Sequence, residues 1–195
     1  VNSAGIDGGA FDNCANLKTV TFEEGTTEIA EGLFAGCTGI EQITIPDTVT
    51  VIESGAFGGC INLKEITVPD NVTEIQRSAF EYCSSLKTAK LSENLKSIGI
   101  WAFGDCNVLK SIKIPDSVTD IDGNAFAECK ELSDVILSKN LKTMGWQVFG
   151  NDNKLTEIEI PKSLEECRYS VNSAGIDGGA FDNCANLKTV TFEEG

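Results

Sequence analysis

Phenylalanine recurs at positions 11, 34, 57, 80, 103, 126 and 149, each 23 residues after the last, before the interval lengthens to 32 and reaches Phe181. Other apolar positions move in step with it. Six residues after each of the first seven Phe begins a stretch of the form LxxIxI: LKTVTF from Leu17, IEQITI from Ile40, LKEITV from Leu63, LKTAKL from Leu86, LKSIKI from Leu109, LSDVIL from Leu132 and LTEIEI from Leu155. Its last residues alternate inward and outward, the period of a half-buried strand. Pro46, Pro69, Pro115 or Pro161 ends the stretch in four repeats. A residue without an N–H and with a fixed φ stops a hydrogen-bond ladder and turns the chain.

The next segment, as in PDTVTVI and PDSVTDI, supplies two more inward residues, Val49 and Ile52 or Val118 and Ile121, and predicts a short second strand. Before each Phe, sequences such as ESGAFGGC and DGNAFAEC suit a tight helical or 3-10 turn that tucks the ring inward. No single coil carries enough apolar residues to fold alone, so each must be covered by the coils above and below. The fold expected is therefore an α/β repeat solenoid of leucine-rich-repeat type over residues 1–195. It consists of stacked 23-residue coils with a parallel β-sheet, short second strands and short helical or 3-10 turns.

Three residues after the Phe comes Cys14, Cys37, Cys60, Cys83, Cys106, Cys129 or Cys184, with Asp152 in the remaining coil. Equivalent residues of stacked coils sit about 5 Å apart with parallel side chains, whereas a disulfide needs Cβ atoms converging to about 3.8 Å. Zinc sites want clustered pairs such as CxxC, and the sequence has none. The column therefore reads as small buried thiols, with no metal and no cofactor. Asp120, Asp122, Asn124 and Glu131 imitate the spacing of a calcium loop, but Ala125 stands where that loop needs Gly, and Ile121 and Phe126 belong to core columns. Cys167 lies apart from the Cys column, beside Arg168 and Tyr169, and is the thiol expected to be accessible, either without a role or as a cross-link between units.

The combined pattern AFxxCxxLKxIxIPDxVTxI resembles the BspA-like, or treponemal, class of leucine-rich repeat over nearly the whole chain, residues 165–175 excepted. The resemblance implies a surface-exposed or secreted protein associated with adhesion to host proteins or other cells. It brings no catalytic residues with it.

Residues 171–195 repeat residues 1–25 without a single change, although neighbouring coils differ: AFDNCANLKTV and AFGGCINLKEI agree at 6 of 11 places. The offset of 170 equals seven coils of 23 plus 9, and the extra nine residues fall after Leu164, an insertion at 165–175. Three origins are compatible with this: an array of near-identical 170-residue units, an overlap of one period introduced by design, and a recent duplication of one coil. Neither end of the sequence reads as the polar cap that a solenoid normally carries. The expectation is a mature or excised fragment whose ends continue into further chain or stack on other molecules, with end-to-end self-association as one outcome.

Charge and composition narrow the function. Lys and Arg number 15 against 30 Asp and Glu, a net charge of −15, which disfavours nucleic acid and anionic lipid as partners. Apolar residues never run for the roughly 18 positions of a membrane span, so no membrane insertion is expected. The chain has no His, which removes the commonest general base and metal ligand, so it is not expected to be an enzyme.

The outward positions of the first strand form two columns, Lys18, Glu41, Lys64, Lys87, Lys110, Ser133 and Thr156, and Thr21, Thr44, Thr67, Lys90, Lys113, Ile136 and Glu159. Such a ladder is the usual binding face of a solenoid. Lys87, Lys90, Lys110 and Lys113 make a basic cluster suited to an acidic partner, with Ile136 beside it; the alternative is a solvated face that only discourages aggregation. Trp101 and Trp146, just before the core Phe of their coils, mark with Tyr82 either a recognition patch or local packing. These readings converge on an extracellular or cell-surface module that binds a protein or carbohydrate ligand through its strand face. The alternative is a structural segment of a fibre or stalk in which 170-residue units assemble coil on coil.

Overall fold

The Phe residues of the repeat stand in one column, an arrangement seen in the computed structural model, which describes residues 9–168, 170–172 and 175–194. Residues 1–8 and 195 of the two duplicated segments, Tyr169, and residues 173 and 174 of the insertion lie outside them. Coils are numbered 1 to 8 by their Phe, from Phe11 to Phe181. Successive rings lie 5.1 to 5.8 Å apart between centroids, with interplanar angles of 16° or less. That is offset stacking at close to the spacing of adjacent strands, so one side chain per coil follows the backbone repeat. The rings from Phe34 to Phe149 are fully buried, while Phe11 is 47% exposed.

Backbone ladders hold the coils on three sides. The short second strands, Glu28–Ile29, Val51–Ile52, Glu74–Ile75, Ser97–Ile98, Asp120–Ile121, Thr143–Met144 and Glu166–Cys167, form one parallel seven-stranded sheet. Register advances by one repeat at each step, as in Ile29↔Ile52 and Ile98↔Ile121. Ile29, Ile52, Ile75, Ile98, Ile121 and Met144 fill the core from this side. The LxxIxI stretches pair less continuously, as Glu65–Thr67 with Thr88–Lys90, Ser111–Lys113 with Asp134–Ile136, and Glu157–Ile160 with Thr189–Phe192. Their central Ile66, Ile112 and Ile158 point inward.

The turn around each Phe differs from the sequence expectation, since no helical or 3-10 segment forms among the described residues. In coil 4 the amides of Ser78, Phe80 and Tyr82 donate to the carbonyls of Ile100, Ala102 and Gly104 in the next coil. Those of Glu81 and Cys83 donate three residues back, to Ser78 and Phe80. Alternate N–H groups thus point between coils, whereas a helix needs all of them along its own axis. The alternation requires left-handed backbone two residues either side of the Phe. Ser78, Tyr82, Trp101, Asp105, Asn124, Glu128, Gln147 and Asn151 all have φ between 49° and 64°. Such values are rare for bulky residues and persist here because the inter-coil bonds hold them.

Ser170–Asn172 and Gly175–Asp177 pair as an antiparallel hairpin between coils 7 and 8. Before it, Thr143 pairs with Glu166 and Met144 with Cys167 at the usual interval of 23. Beyond it, Glu157 pairs with Thr189, an interval of 32. The column nevertheless continues, with Phe181 5.5 Å from Phe149.

Along the Cys column, each thiol donates to the carbonyl oxygen of the Phe in the preceding coil: Cys60 to Phe34, Cys83 to Phe57, Cys106 to Phe80 and Cys129 to Phe103, at 3.2 to 3.4 Å. All eight cysteines are free. Burial pushes the Cys60 thiol up to about 12 and those of Cys83, Cys106 and Cys129 well above the ordinary thiol value. Asp152 replaces the thiol in coil 7 and is wholly buried, and neither carboxyl oxygen has a hydrogen-bond partner among the described residues. Burial pushes its pKa up to about 9, and the nearby Glu128 charge adds to the rise. A carboxyl raised in the folded state binds its proton more tightly there than in the unfolded chain. Its stabilising effect is complete below about pH 4 and is lost as pH rises towards 9.

Two predictions follow from this core. Phe103→Ala opens a cavity between two stacked rings and costs about 3–5 kcal/mol in urea unfolding, whereas Phe11→Ala, at a half-exposed ring, costs clearly less. Asp152→Cys restores the thiol of the column and stabilises the chain at pH 8 more than at pH 4. Unfolding midpoints of the two proteins that differ by the same amount at both pH values contradict a buried, protonated Asp152.

Candidate functional site

The outer side of the LxxIxI strands presents two rows of exposed side chains. The three-residue strands turn their central residue inward and the two flanking residues outward. The rows are therefore Glu65, Thr88, Ser111, Asp134, Glu157 and Thr189, and Thr67, Lys90, Lys113, Ile136, Glu159 and Thr191. The second row is the one expected. The first lies one residue beyond the expected Lys18 column, because Lys64, Lys87 and Lys110 precede their strands rather than belonging to them. Those lysines are exposed all the same, and the carbonyls of Lys64 and Lys110 accept bonds from the amides of Lys87 and Ser133 in the next coils.

The structure brings Lys87, Lys90, Lys110 and Lys113 together on adjacent coils 4 and 5, with Lys90 in the strand Thr88–Lys90 and Lys113 in Ser111–Lys113. Lys113 makes one loose ion pair with Glu93 at 3.8 Å, both side chains more than half exposed. No ion pair engages Lys87, Lys90 or Lys110 among the described residues. Lys64, one coil earlier, is instead neutralised by Glu41, whose carboxyl it holds below the usual range. The basic cluster is therefore set off from the acidic remainder of the surface.

Beside it the face turns apolar and then acidic. Ile136, opposite Lys113, is 55% exposed. It lines a small depression of about 110 Å³ with Leu137, Lys139, Pro161 and Glu193. A second depression of about 290 Å³ lies among Ser133, Asp134, Glu157, Glu159, Thr189 and Thr191. A third, of about 330 Å³, lies between Gln42, Thr44, Glu65 and Thr67. The second pocket was not legible in the sequence, because it needs coil 8 to pair with coil 7 across the hairpin. The alternation of the strands was the only signal for its lining residues.

Trp101 and Trp146 lie elsewhere, in the Phe turns, and both are half-buried. A Cβ on Gly104 would overlap the Trp101 indole, and one on Gly123 would overlap that of Trp146, so each ring covers a glycine. Tyr82 is 43% exposed in its own turn. Cys167 continues the column of Ile29 to Met144 as the last strand of the seven-stranded sheet, and it is exposed there. Partial burial nonetheless raises its thiol above the ordinary value. Asp120 accepts hydrogen bonds from the hydroxyls of Thr119 and Thr143, which lower its pKa. Asn124, with left-handed backbone, is buried, and Glu131 is exposed.

The family model of the BspA-type leucine-rich repeat region matches in six copies, over residues 4–130, 50–174 and 163–195. Among solved structures, a leucine-rich repeat protein of Bacteroides ovatus is similar at 30% identity, with a TM-score of 0.78 over 94% of this chain and 51% of that one. The T. pallidum leucine-rich repeat protein is similar at 30% identity, with a TM-score of 0.73 over 83% of this chain and 71% of that one. A leucine-rich cell surface protein of Faecalibacterium prausnitzii is similar at 26% identity and a TM-score of 0.52, over 95% and 62% of the two chains. The chain thus spans about half the length of the Bacteroides structure. No curated protein matches.

Thiol reactivity tests how the site and column differ. A small alkylating reagent at pH 8 is expected to label the exposed Cys14 and Cys167 well before Cys37, Cys60, Cys83, Cys106, Cys129 and Cys184. Mass spectrometry of the time course reads the order, and early labelling of Cys83 or Cys106 contradicts their burial.

Proposed function

Since the chain belongs to the BspA-type leucine-rich repeat family, we propose that it is an extracellular or cell-surface interaction module that binds a protein or carbohydrate ligand non-covalently through its strand face. One observation carries this reading: three lysines that make no ion pair among the described residues, joined by a fourth in a loose one, stand on consecutive coils of an otherwise acidic surface with exposed Ile136 beside them. A basic cluster on a protein of net charge −15 steers a locally acidic segment and repels bulk polyanions. Ile136 offers the apolar anchor that an ionic contact lacks. The surface location is supported by the similar cell surface protein of Faecalibacterium prausnitzii. In this reading Trp101 and Trp146 serve packing, and Cys167 is a surface thiol without a chemical role.

A second reading is favoured by the unchanged recurrence of residues 1–25 at 171–195. In it the 170-residue unit is a structural segment of a fibre or stalk, joined through the ends of coil stacks.

Binding of a fluorescent oligoglutamate peptide at low ionic strength tests the strand face. Lys87→Ala, Lys90→Ala, Lys110→Ala and Lys113→Ala combined are expected to weaken binding at least about tenfold, the sum of four exposed ionic contacts. The same number of Lys→Ala changes at the exposed Lys96, Lys130, Lys142 and Lys154 is expected to have a smaller effect. Equal loss in both variants rejects the cluster as the binding site.

A further inference from the structure

The strand face is split between coils 4 and 5. Thr88–Lys90 pairs with Glu65–Thr67 on one side, and Ser111–Lys113 pairs with Asp134–Ile136 on the other. Among the described residues no backbone bond joins Thr88–Lys90 to Ser111–Lys113, and no amide donates to the Lys87 carbonyl. The same two coils stay joined elsewhere, where the Phe80 amide donates to Ala102 and Ser97 pairs with Asp120. Coils 2 and 3 also lack a strand pair on this face, yet the Lys64 amide still donates to the Glu41 carbonyl there. Like charges face each other across the split, because the 23-residue interval sets Lys87 opposite Lys110 and Lys90 opposite Lys113. Like charges directly opposite one another destabilise strand pairing. Coils 6 and 7 are split in the same way, with Asp134 facing Glu157.

The four lysines are rooted at the corners of a small rectangle. Its short side is the coil spacing, 5.1 Å between the Phe80 and Phe103 rings. Its long side is three residues of strand, about 10 Å. Between the corners stand the exposed hydroxyl residues Thr88 and Ser111. Carboxylates fence this area, since Thr88 lies opposite Glu65 and Ser111 opposite Asp134. One row therefore reads carboxylate, hydroxyl, hydroxyl, carboxylate over coils 3 to 6. Beyond Asp134, Glu157 and Glu159 line the depression of about 290 Å³. A long polyanion laid over the coils would run from the lysines onto these acids, whereas a compact anion meets only lysines and hydroxyls.

We infer that the split between coils 4 and 5 holds a tetrahedral oxyanion, the phosphate or sulfate monoester of one side chain in a protein partner. Lys87, Lys90, Lys110 and Lys113 surround it, and the Thr88 and Ser111 hydroxyls donate to its oxygens. The inference rests on the strand-face reading above and narrows it to one kind of ligand group. A carboxylate brings two oxygens and one charge, whereas a phosphate monoester brings three strong acceptor oxygens and nearly two charges. The ester therefore engages ammonium groups of both coils at once through charge-assisted bonds. Seated over the split, it replaces repulsion between the two strands with attraction of both to a shared centre. Exposed Ile136, opposite Lys113, supplies an apolar contact for a side chain next to the ester, which favours a protein segment over a glycan.

Fluorescence anisotropy of the full chain with a short peptide carrying one phosphotyrosine and a nearby leucine tests this. The phosphopeptide is expected to bind at least about tenfold more tightly than the same peptide with Glu in place of phosphotyrosine. A sulfotyrosine version that matches the phosphopeptide assigns the site to either ester, and one that binds like the Glu peptide assigns it to phosphate. Thr88→Val combined with Ser111→Ala is expected to weaken phosphopeptide binding at least about fivefold and to leave oligoglutamate binding unchanged. Both positions are exposed, and an unchanged thermal midpoint checks that this variant is folded. A phosphopeptide that binds no tighter than the Glu peptide, or that ignores the loss of both hydroxyls, overturns the oxyanion site while oligoglutamate binding keeps the strand-face reading. A heparin fragment that binds more tightly than the phosphopeptide overturns the carboxylate fence and the protein partner. No binding of any of these probes, oligoglutamate included, overturns this inference and the strand-face reading together.

Discussion

The stack of Phe rings and the amide ladder beside it form the contact on which everything else in this molecule depends. Each ring from Phe34 to Phe149 is covered by the rings before and after it, 5.1 to 5.8 Å away. The amide of the Phe itself donates to the next coil, as from Phe80 to Ala102 and from Phe103 to Ala125. Side-chain spacing and backbone spacing are thus the same quantity, and a coil that loses its neighbour loses both. Stability in such a molecule is a sum over coil interfaces rather than a property of one closed core. Of the wholly buried large side chains, the six bulkiest are the Phe from coils 2 to 7.

Coil 7 is where this additivity is weakest. It carries Asp152 where the other coils carry a thiol, and the hairpin that interrupts the register follows it. A thiol is small and apolar and can still donate to the Phe carbonyl of the coil before. A carboxyl in the same place must stay protonated or bring an unpaired charge into the core. The stacking of Phe181 on Phe149 and the Cys184 thiol bond to the Phe149 carbonyl carry the column past this point.

The strand face uses the part of each coil that stacking leaves free. Inward residues of the LxxIxI strands are committed to the core, so the outward rows can vary without disturbing it. They do vary, from Thr67 through Lys90 and Lys113 to Ile136 and Glu159 along one row. A face that changes from basic to apolar to acidic over a few coils offers a register for an elongated or patterned partner.

Much of this was legible in the residues alone. The 23-residue interval of Phe and the Cys three places later determined a solenoid and its core columns, because a stacked repeat must return the same side chain to the same depth in every coil. The lysine cluster was visible for the same reason: a fixed interval places Lys87 beside Lys110 and Lys90 beside Lys113. The backbone within the coil was not legible. Left-handed φ at Trp101 or Tyr82 runs against the intrinsic preference of those residues and is imposed by amides bonding between coils, so the expected helical turn gave way to an inter-coil ladder. Nor did the repeat show that Glu65 and Asp134, rather than Lys64 and Ser133, lie in the strands, or that the pocket at Glu157 closes against Thr189. Those depend on where each ladder starts and on how nine extra residues fold away, which only the packing of one coil against the next decides.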